Sequence, residues 1–396
     1  MKVLIATDWF LPSLNGVVIS VLNLRSQLER RGHEVIILTL SQDKQSHKRD
    51  GVWSVAAYSA GRFYPEARFS FHSGDFIIDE LIDWKPDVIH TQCEMSTFRF
   101  AKKIAKATGA PIVHTYHTVY EYYVHYLHLG PRLGKKFVSA VSKKILDSTD
   151  QVIVPTVKTK RLLEGYRVRQ PMHIVPTGID LKRFEAVPEP DQLRRLRENY
   201  RLSDGEIVLM TAGRLAKEKN TEELIETLYR SYGKRRENIP EGVSGITLMV
   251  VGGGPYGEVL KKRKEECEAA YGGEYCRVIF TGEIQQEEMP LYYHLADCYV
   301  NASISETQGL TYIEAMACGL PAVCRRDECL EGLIRDGENG YLFEDREGFL
   351  KALQKVFISQ EEYERLSTGA KRSVEVYTME KFCENVEQVY LRAIAQ

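Results

Sequence analysis

"DCYVNASISETQGLTYIEAMACGLPAVC", residues 297–324, holds the pattern on which the fold of this chain depends. A short apolar run predicts a strand, a polar loop follows, and a row of good helix formers begins near Gly309 or Leu310. The next apolar run, "PAVCR", predicts a second strand. Apolar strands without clean alternation are typical of a parallel sheet that is covered on both faces. The stretch therefore predicts one strand–helix–strand unit of an open α/β sheet.

The same alternation of predicted strands and helices continues in both directions along the chain. The first half predicts strands in "KVLIAT", "EVIILTL", "PDVIHT", "PIVHTY" and "QVIVPT", and the second half adds "EIVLMTAG", "ITLMVVGGG" and "CRVIFTG". We therefore predict two doubly wound, Rossmann-like domains that face each other across a cleft, at residues 1–175 and 176–377. Proline and glycine interrupt the pattern between 170 and 190. A final helix at 378–396 could pack back on the first domain.

Composition and cysteine usage indicate the compartment. Hydrophobic residues make up 43% of the chain and charged residues 27%, as in globular proteins. The apolar runs are far shorter than the ~20 residues of a membrane-spanning helix. The start, "MKVLIATDWFLP", predicts a buried strand rather than a signal peptide. The eight cysteines lack the paired spacing of a zinc site or redox motif, which predicts a cytoplasmic, reducing location.

The net charge of −2 hides an asymmetry. Residues 1–170 carry 24 Lys and Arg against 16 Asp and Glu, whereas the remainder carries 29 against 39. Residues 131–170 alone hold ten basic and three acidic side chains. This concentration predicts an anionic partner, such as phospholipid headgroups or nucleic acid. A solvated helix face is the alternative explanation.

Two carboxylates flank the helix start in the opening stretch. Glu306 precedes the helix and Glu314 lies inside it, so they can address different parts of one ligand. A carboxylate accepts hydrogen bonds from sugar or ribose hydroxyls, and the backbone amides near Gly309 suit a phosphate. An ordinary surface helix could also carry two glutamates.

Two other loops suggest anion binding. Arg214 and Lys219, in "TAGRLAKEKN", follow a predicted strand, where paired cations can neutralise a diphosphate and stabilise it as a leaving group. Asn15 and Gly16 follow the first strand and precede a long helix, as in a generic anion site. Each pattern has an ordinary alternative: exposed cations in one case, and a common Asn-Gly turn in the other.

In combination, these motifs resemble a known family. "NGV", "YHT", "PTGID", "GRLAKEKN", "VGGGP" and "ETQGLTYIEAMACGLP" occur in the order seen in the retaining glycosyltransferases of family 4, which have the GT-B fold. The resemblance covers essentially the whole chain, and the glutamate pair matches the family's E-x7-E motif. It implies transfer of a sugar from a nucleotide-sugar substrate with retained configuration, without a metal or other cofactor.

The resemblance also implies roles for individual residues. Glu306 and His117 would lie near the donor sugar, and Glu314 would hold the ribose. Arg214 and Lys219 would bind the diphosphate. The remaining donor-binding positions that it implies are Asn15, Gly16, Glu283, Ile284, Gly309, Leu310 and Thr311.

The stretch "HTYHTVYEYYVHYLHLG", residues 114–130, has four histidines and five tyrosines and runs into a basic helical pattern. Packing of an ordinary aromatic loop is one explanation. A metal site at the histidines is another, although no Cys or carboxylate pattern supports it. The third is a membrane interface, because Phe137, Val141 and Ile145 share one stripe of the predicted helix while lysines lie mostly elsewhere.

This segment resembles the enzymes that glucosylate diacylglycerol in Gram-positive bacteria. "HTVYEYYVHY" matches their acceptor element except at Tyr122, where an acid is expected, and "HTQCEM" resembles a second acceptor loop. The resemblance implies transfer of glucose from UDP-glucose to the 3-hydroxyl of 1,2-diacylglycerol at the anionic inner face of the cell membrane. Another donor sugar, or a glycolipid or saccharide acceptor, is the alternative. The predicted acceptor and membrane residues are Tyr120, Glu121, Tyr123, His125, Tyr126, Lys135, Lys136, Lys143 and Lys144.

Parts of the sequence also fit two other functional classes. Gly252, Gly254 and Gly257 form a G-x-G-x-x-G pattern after a predicted strand, as in NAD-dependent oxidoreductases, although Pro255 makes the turn less typical. A binding protein that recognises nucleic acid through the basic segment is the other class. No recognition motif accompanies that charge, so we expect no nucleic-acid partner.

Overall fold

The computed structural model describes residues 1–13, 15–61, 67–121 and 130–396. These residues form two compact units: unit 1 comprises Met1–Ile179 and Tyr377–Gln396, and unit 2 comprises Asp180–Val376. Each unit is a mainly parallel sheet covered by helices on both faces, as the sequence predicted. Within the described residues, no helix is long and apolar enough to cross a membrane.

The strands of unit 1 are β1 Lys2–Ala6, β2 Glu34–Leu40, β3 His47–Arg49, β4 Val52–Val55, β5 Tyr58–Ser59, β6 Arg68–Phe69, β7 Val88–Thr91, β8 Ile112–Thr115, β9 Gln151–Val154 and β10 Met172–Ile174. Its helices are α1 Gly16–Arg30, α2 Phe76–Trp84, α3 Ser96–Thr108, α4 Pro131–Leu146, α5 Val157–Gly165 and, from the end of the chain, α14 Met379–Ile394.

The main sheet of unit 1 has the order β10-β9-β8-β7-β1-β2-β4-β3, and only β3 is antiparallel to its neighbour. The central strands are apolar and fully buried because helices cover both faces. The terminal helix α14 packs against α1 on one face of this sheet through Phe382, Val386 and Tyr390. The first and last segments of the chain therefore share one core.

Unit 2 has a six-stranded parallel sheet, with the order β13-β12-β11-β14-β15-β16. Its strands are β11 Glu206–Ala212, β12 Gly245–Val251, β13 Cys276–Gly282, β14 Cys298–Asn301, β15 Ala322–Arg325 and β16 Gly340–Phe343. Its helices are α6 Leu181–Glu185, α7 Pro190–Asn199, α8 Thr221–Tyr232, α9 Gly257–Tyr271, α10 Met289–Leu295, α11 Leu310–Ala317, α12 Arg346–Val356 and α13 Gln360–Val374.

Strand order places the candidate site in each unit. In an open parallel sheet, ligands bind beyond the carboxyl ends of two adjacent strands whose following helices lie on opposite faces. This switch point lies between β1 and β7 in unit 1 and between β11 and β14 in unit 2. The loops that begin at Thr7, Gln92, Gly213 and Ala302 therefore surround the two switch points.

Candidate active site

The switch point of unit 2 brings two predicted residues together. Lys219 ends a short 3₁₀ turn after β11, and Glu306 lies in the loop after β14. The Lys219 Nζ donates to Glu306 Oε1 at 2.6 Å, and the two side chains are 25% and 15% exposed. Because both remain in contact with solvent, this ammonium and carboxylate can meet a ligand.

Arg214 lies in the same loop as Lys219. Its guanidinium donates to Glu218 Oε1 at 2.7 Å, and the side chains are 33% and 10% exposed. A guanidinium has five N–H donors, so one bond to a carboxylate does not exhaust its capacity. The loop after β11 thus carries two cations, each held by an acidic neighbour.

Gly309 caps helix α11 in the left-handed conformation, with φ 76° and ψ 71°. A Cβ at this position would lie 2.5 Å from the Tyr312 ring, so both the backbone and the available space require glycine. The Thr311 hydroxyl bonds to the Tyr299 hydroxyl at 2.8 Å. The first N–H groups of a helix have no intrahelical partner, so Leu310 and Thr311 begin a positively polarised end.

Glu314 has a different environment from Glu306. Its side chain lies in the buried face of α11, where it accepts a hydrogen bond from the Tyr293 hydroxyl at 2.8 Å. Burial raises the pKa of Glu314, although the Tyr293 bond and the Arg183 charge act in the opposite direction. The two predicted carboxylates therefore differ in solvation.

The glycines after β12 are required by loop packing. A Cβ on Gly252 would overlap the Gly213 carbonyl oxygen, and a Cβ on Gly254 would overlap that of Leu215. The Leu215 amide also donates to the Gly253 carbonyl at 2.8 Å. Close approach to the loop after β11 thus explains the pattern that resembles a dinucleotide fingerprint.

Glu283 and Ile284 follow β13. Glu283 is exposed and Ile284 is half-buried. A Cβ on Gly253 would lie 2.6 Å from Glu283 Oε1, so this carboxylate lies directly beside the glycine loop. The structure therefore gathers the predicted unit 2 positions around the ends of β11, β12, β13 and β14.

In unit 1, Asn15 acts as a helix cap. Its Oδ1 accepts hydrogen bonds from the Val17 and Val18 amides at 3.0 and 3.1 Å. Gly16 is the exposed first residue of α1. Two of the amides at this helix end are thus already bonded by the chain itself.

His117 follows β8 and lies against the loop after β7. Its Nε2 is 2.6 Å from the Gln92 Oε1. Burial lowers the pKa of His117 to about 3, with a further contribution from His114. The imidazole is therefore neutral at physiological pH, and a proton on Nε2 would be held by Gln92.

A polar cluster at the switch point of unit 1 joins Tyr120 and the predicted acceptor loop "HTQCEM" to Asp8, which the sequence analysis did not assign. Glu94 accepts a hydrogen bond from the Tyr120 hydroxyl, and its Oε1 lies 3.3 Å from His114 Nε2. The Asp8 carboxylate accepts from the Met95 and Thr97 amides, and burial raises its pKa to about 6. The polar residues directly after β1, in "ATD", are the signal that could have identified Asp8.

The predicted acceptor residues are partly described. Glu121 Oε2 lies 3.0 Å from Lys135 Nζ, and Glu121 Oε1 accepts from the Tyr166 hydroxyl. Lys143 pairs with Asp147 along α4. Three predicted positions, Tyr123, His125 and Tyr126, lie outside the described residues.

Helix α4 exposes most of the remaining basic and apolar positions, although Ile145, predicted to lie on the same apolar stripe, is half-buried. Lys135, Lys136 and Lys144 are exposed. Phe137 and Val141, predicted to share a stripe, are 52% and 40% exposed. The predicted amphipathic surface is therefore open to solvent. In the described part of the chain, no group of three His, Cys, Asp or Glu side chains could hold a metal ion.

Two family descriptions together cover most of the chain. Residues 14–183 match Glycosyltransferase Family 4, and residues 193–373 match Glycosyl transferases group 1. The alpha-monoglucosyldiacylglycerol synthase of Streptococcus pneumoniae is 31% identical, over 100% of this chain and 86% of that protein. The protein of the same name from Acholeplasma laidlawii is 30% identical, over 100% and 98%.

Solved structures show the same fold. HepE of Anabaena in complex with UDP has a TM-score of 0.72 and 15% identity, over 99% of this chain and 100% of that chain. Sucrose-phosphate synthase from Thermosynechococcus elongatus has a TM-score of 0.73 and 22% identity, over 100% and 99%. The chain therefore belongs to glycosyltransferase family 4 and has the GT-B fold.

Proposed function

We propose that this protein transfers glucose from UDP-glucose to the 3-hydroxyl of 1,2-diacylglycerol and forms an α-monoglucosyl glycolipid. The observation that carries the proposal is the polar site at the switch point of unit 2. There, a lysine, a carboxylate and a helix N-terminus lie on neighbouring loops. The names of the two relatives that are 31% and 30% identical over the whole of this chain favour glucose and diacylglycerol.

The donor diphosphate binds Arg214, Lys219 and the amides of Gly309, Leu310 and Thr311. When the bond between the sugar C1 and the phosphate oxygen breaks, negative charge grows on the leaving group. Fixed cations and peptide dipoles stabilise that charge more strongly in the transition state than in the bound substrate. Lys219, already oriented by Glu306 at 2.6 Å, needs little rearrangement to do this.

The two glutamates bind different parts of the donor. Glu306, which remains partly exposed, accepts hydrogen bonds from sugar hydroxyls. Glu314 accepts from the ribose hydroxyls with the oxygen that Tyr293 does not hold. Glu283 and Ile284 border the nucleobase.

Retention follows from attack on the same face that the diphosphate leaves. The acceptor oxygen forms the new bond to C1, and its proton passes to the departing phosphate oxygen. In unit 1, His117 binds the donor sugar as a neutral imidazole, since burial lowers its pKa to about 3 and a neutral imidazole can exchange hydrogen bonds with a sugar hydroxyl. Gly16 permits a close approach of backbone to the diphosphate.

The acceptor binds unit 1. Glu94 and Tyr120 form a part-buried polar pair, and Glu94 also contacts His114, an arrangement suited to a glycerol hydroxyl. The exposed lysines and apolar residues of α4 hold the protein at an anionic membrane surface, because basic residues attract headgroups while Phe137 enters the interface.

Glucose transfer by the purified full-length chain tests the proposal. UDP-glucose, UDP-galactose and GDP-mannose are each offered with diacylglycerol, an α-monoglucosyl lipid or a soluble saccharide, in detergent micelles. We expect an α-linked product from UDP-glucose and diacylglycerol, and a strong loss of it in Glu306→Gln. Transfer from another donor alone, or NAD binding without UDP binding, would contradict the proposal.

A second donor is supported by other relatives. The sulfoquinovosyl transferase SQD2 of Arabidopsis thaliana is 26% identical over 90% of this chain and 66% of that protein. The GDP-mannose-dependent alpha-mannosyltransferase of Corynebacterium glutamicum is 24% identical over 100% and 90%. Donor choice therefore differs among relatives, which is why the assay compares several nucleotide sugars.

A further inference from the structure

A surface of unit 1 that does not include helix α4 combines exposed aromatic rings with a basic helix face. The strands β5 and β6 pair antiparallel outside the main sheet and place Tyr58 opposite Phe69. Phe71 follows at once and is 68% exposed, while Tyr58 is 42% exposed. We call Tyr58, Phe69, Phe71 and the basic face of α3 described below the aromatic–basic surface.

The three rings contact one another, and Tyr58 and Phe71 remain exposed while Phe69 is half-buried. Phe69 lies between Tyr58, at 5.9 Å between centroids, and Phe71, at 5.3 Å in an edge-on arrangement. Full burial of a Phe side chain is worth roughly 1.5–3 kcal/mol relative to exposure. Because most of the Phe71 side chain is exposed, folding of unit 1 gains only a small part of this free energy at Phe71.

The neighbouring helix α3 supplies positive charge. Arg99, Lys102, Lys103 and Lys106 follow helical spacing on one face, and α3 has no acidic residue. Of these, Lys103 lies 3.3 Å from Asp79 of α2. The Arg99 guanidinium lies 5.3 Å from the centre of the Phe71 ring, so the charge and the aromatic patch are in direct contact.

The surface also borders the polar cluster of unit 1. The Ser70 amide donates to Ser96 Oγ at 3.0 Å, and Arg99 donates to the Ser70 carbonyl at 2.7 Å. At the same helix end, Asp8 accepts from the Thr97 amide. The segment that carries Phe71 is therefore attached to the helix end that Asp8 caps.

We propose that the aromatic–basic surface is a second lipid-binding surface, which inserts Phe71 and Tyr58 into an anionic membrane interface while α3 binds headgroup phosphates. Aromatic side chains beside Lys and Arg suit this boundary, since one part of the surface is apolar and the other binds anions. The inference rests on the proposed lipid acceptor, because a membrane contact beside the acceptor cluster would bring the enzyme to its substrate.

Vesicle binding by the full-length chain tests the surface directly. The vesicles contain phosphatidylcholine with or without an equal amount of phosphatidylglycerol, and bound protein is measured by flotation. We expect Phe71→Ser to weaken binding about tenfold and Lys102→Gln/Lys106→Gln about 10- to 30-fold, the latter only on anionic vesicles. Ile358→Ser and Lys234→Gln/Arg235→Gln, at exposed positions of unit 2, are matched controls and should bind like the parent protein.

Equal binding by the parent and both surface variants would overturn the inference. So would displacement of the protein from vesicles by an oligonucleotide, or a dimer in solution that Phe71→Ser dissociates, since either result would assign the surface to another partner. Glucose transfer to diacylglycerol in micelles separates the two proposals. If the parent protein transfers glucose but the surface variants bind vesicles as well as the parent does, only this inference is rejected. If the surface variants bind vesicles more weakly but the parent protein transfers no glucose, only the proposed activity is rejected.

Discussion

Replacing Lys219 by alanine tests the donor site most directly. This lysine is held by a carboxylate 87 positions away in the sequence, with its Nζ 2.6 Å from Glu306 Oε1. Truncation at Cβ removes the ammonium but leaves the 3₁₀ turn that carries it. The proposed mechanism requires that charge when the diphosphate leaves.

The geometry sets the expected magnitudes. At 2.6 Å and an effective dielectric constant of about 20, the Coulomb attraction is about 6 kcal/mol. The side chains are 25% and 15% exposed, so desolvation and screening reduce the net effect on stability to about 1–2 kcal/mol. Loss of one preorganised group that stabilises the leaving charge lowers kcat by about 10²–10³, or about 3–4 kcal/mol.

Steady-state glucose transfer in micelles measures the catalytic effect, and calorimetry with UDP measures binding. Lys217→Ala is the matched control, because this exposed lysine lies in the same turn. We expect Lys217→Ala to retain normal kcat and UDP affinity. A double-mutant cycle with Glu306→Gln should show strong non-additivity, since the two side chains are in contact.

Three results would refute this reasoning. Lys219→Ala could retain full kcat, Lys217→Ala could lose as much as Lys219→Ala, or the effects of Lys219→Ala and Glu306→Gln could simply add. In each case, the ion pair would not be the group that stabilises the leaving diphosphate.

Three further predictions address the supporting structure. Gly309→Ala places a Cβ against the Tyr312 ring and forces a non-glycine residue to adopt φ 76°. Calorimetry should therefore show weaker UDP binding, and the midpoint of thermal unfolding should fall. Unchanged UDP affinity would contradict the proposed contact between the helix end and the diphosphate. Glu314→Gln should lower UDP affinity about tenfold and abolish discrimination against 2′-deoxy-UDP, whereas intact discrimination would exclude the ribose contact. For Asp8, burial raises the pKa from 3.8 to about 6, so the folded state binds this proton more tightly and stability falls as pH rises through that window. In urea unfolding, the free energy of unfolding of the parent protein should fall, relative to that of Asp8→Asn, by up to about 3 kcal/mol between about pH 4 and 7. A difference between the two proteins that does not change with pH would refute the assignment.

Local sequence pattern identified the elements that matter most for function. The apolar runs around Val3, Ile37, Leu209 and Val300 form the central strands, because a strand buried on both faces needs a continuous apolar segment. The short strands β4, β10 and β16 were not predicted. They lie at or near sheet edges and are only three or four residues long, so their pairing depends on a neighbouring strand more than on their own pattern.

In the donor site, too, the sequence predicts which loops carry the charged residues, whereas the structure decides which of these residues are in contact. Arg214, Lys219, Glu306 and Gly309 stand directly after predicted strands, and a parallel sheet brings such positions to one edge. The contact between Lys219 and Glu306 was not predictable from spacing, because it requires β11 and β14 to be neighbours. Likewise, the glycine pattern near Gly252 resembles a ligand motif in the sequence, whereas in the structure the backbone of the loop after β11 lies too close for any larger residue.

The sequence by itself determined the α/β class, the two parallel sheets, the family and the loops in which charged residues would be found. These properties follow from short-range periodicity and from motifs read in order along the chain. Only the tertiary structure decided that α14 packs on α1, that Asp8, Glu94 and Tyr120 form one cluster in unit 1, and that Phe71 stays exposed beside a basic helix. The physical reason is that strand order and side-chain burial are set by contacts between residues far apart in the chain, which no local pattern encodes.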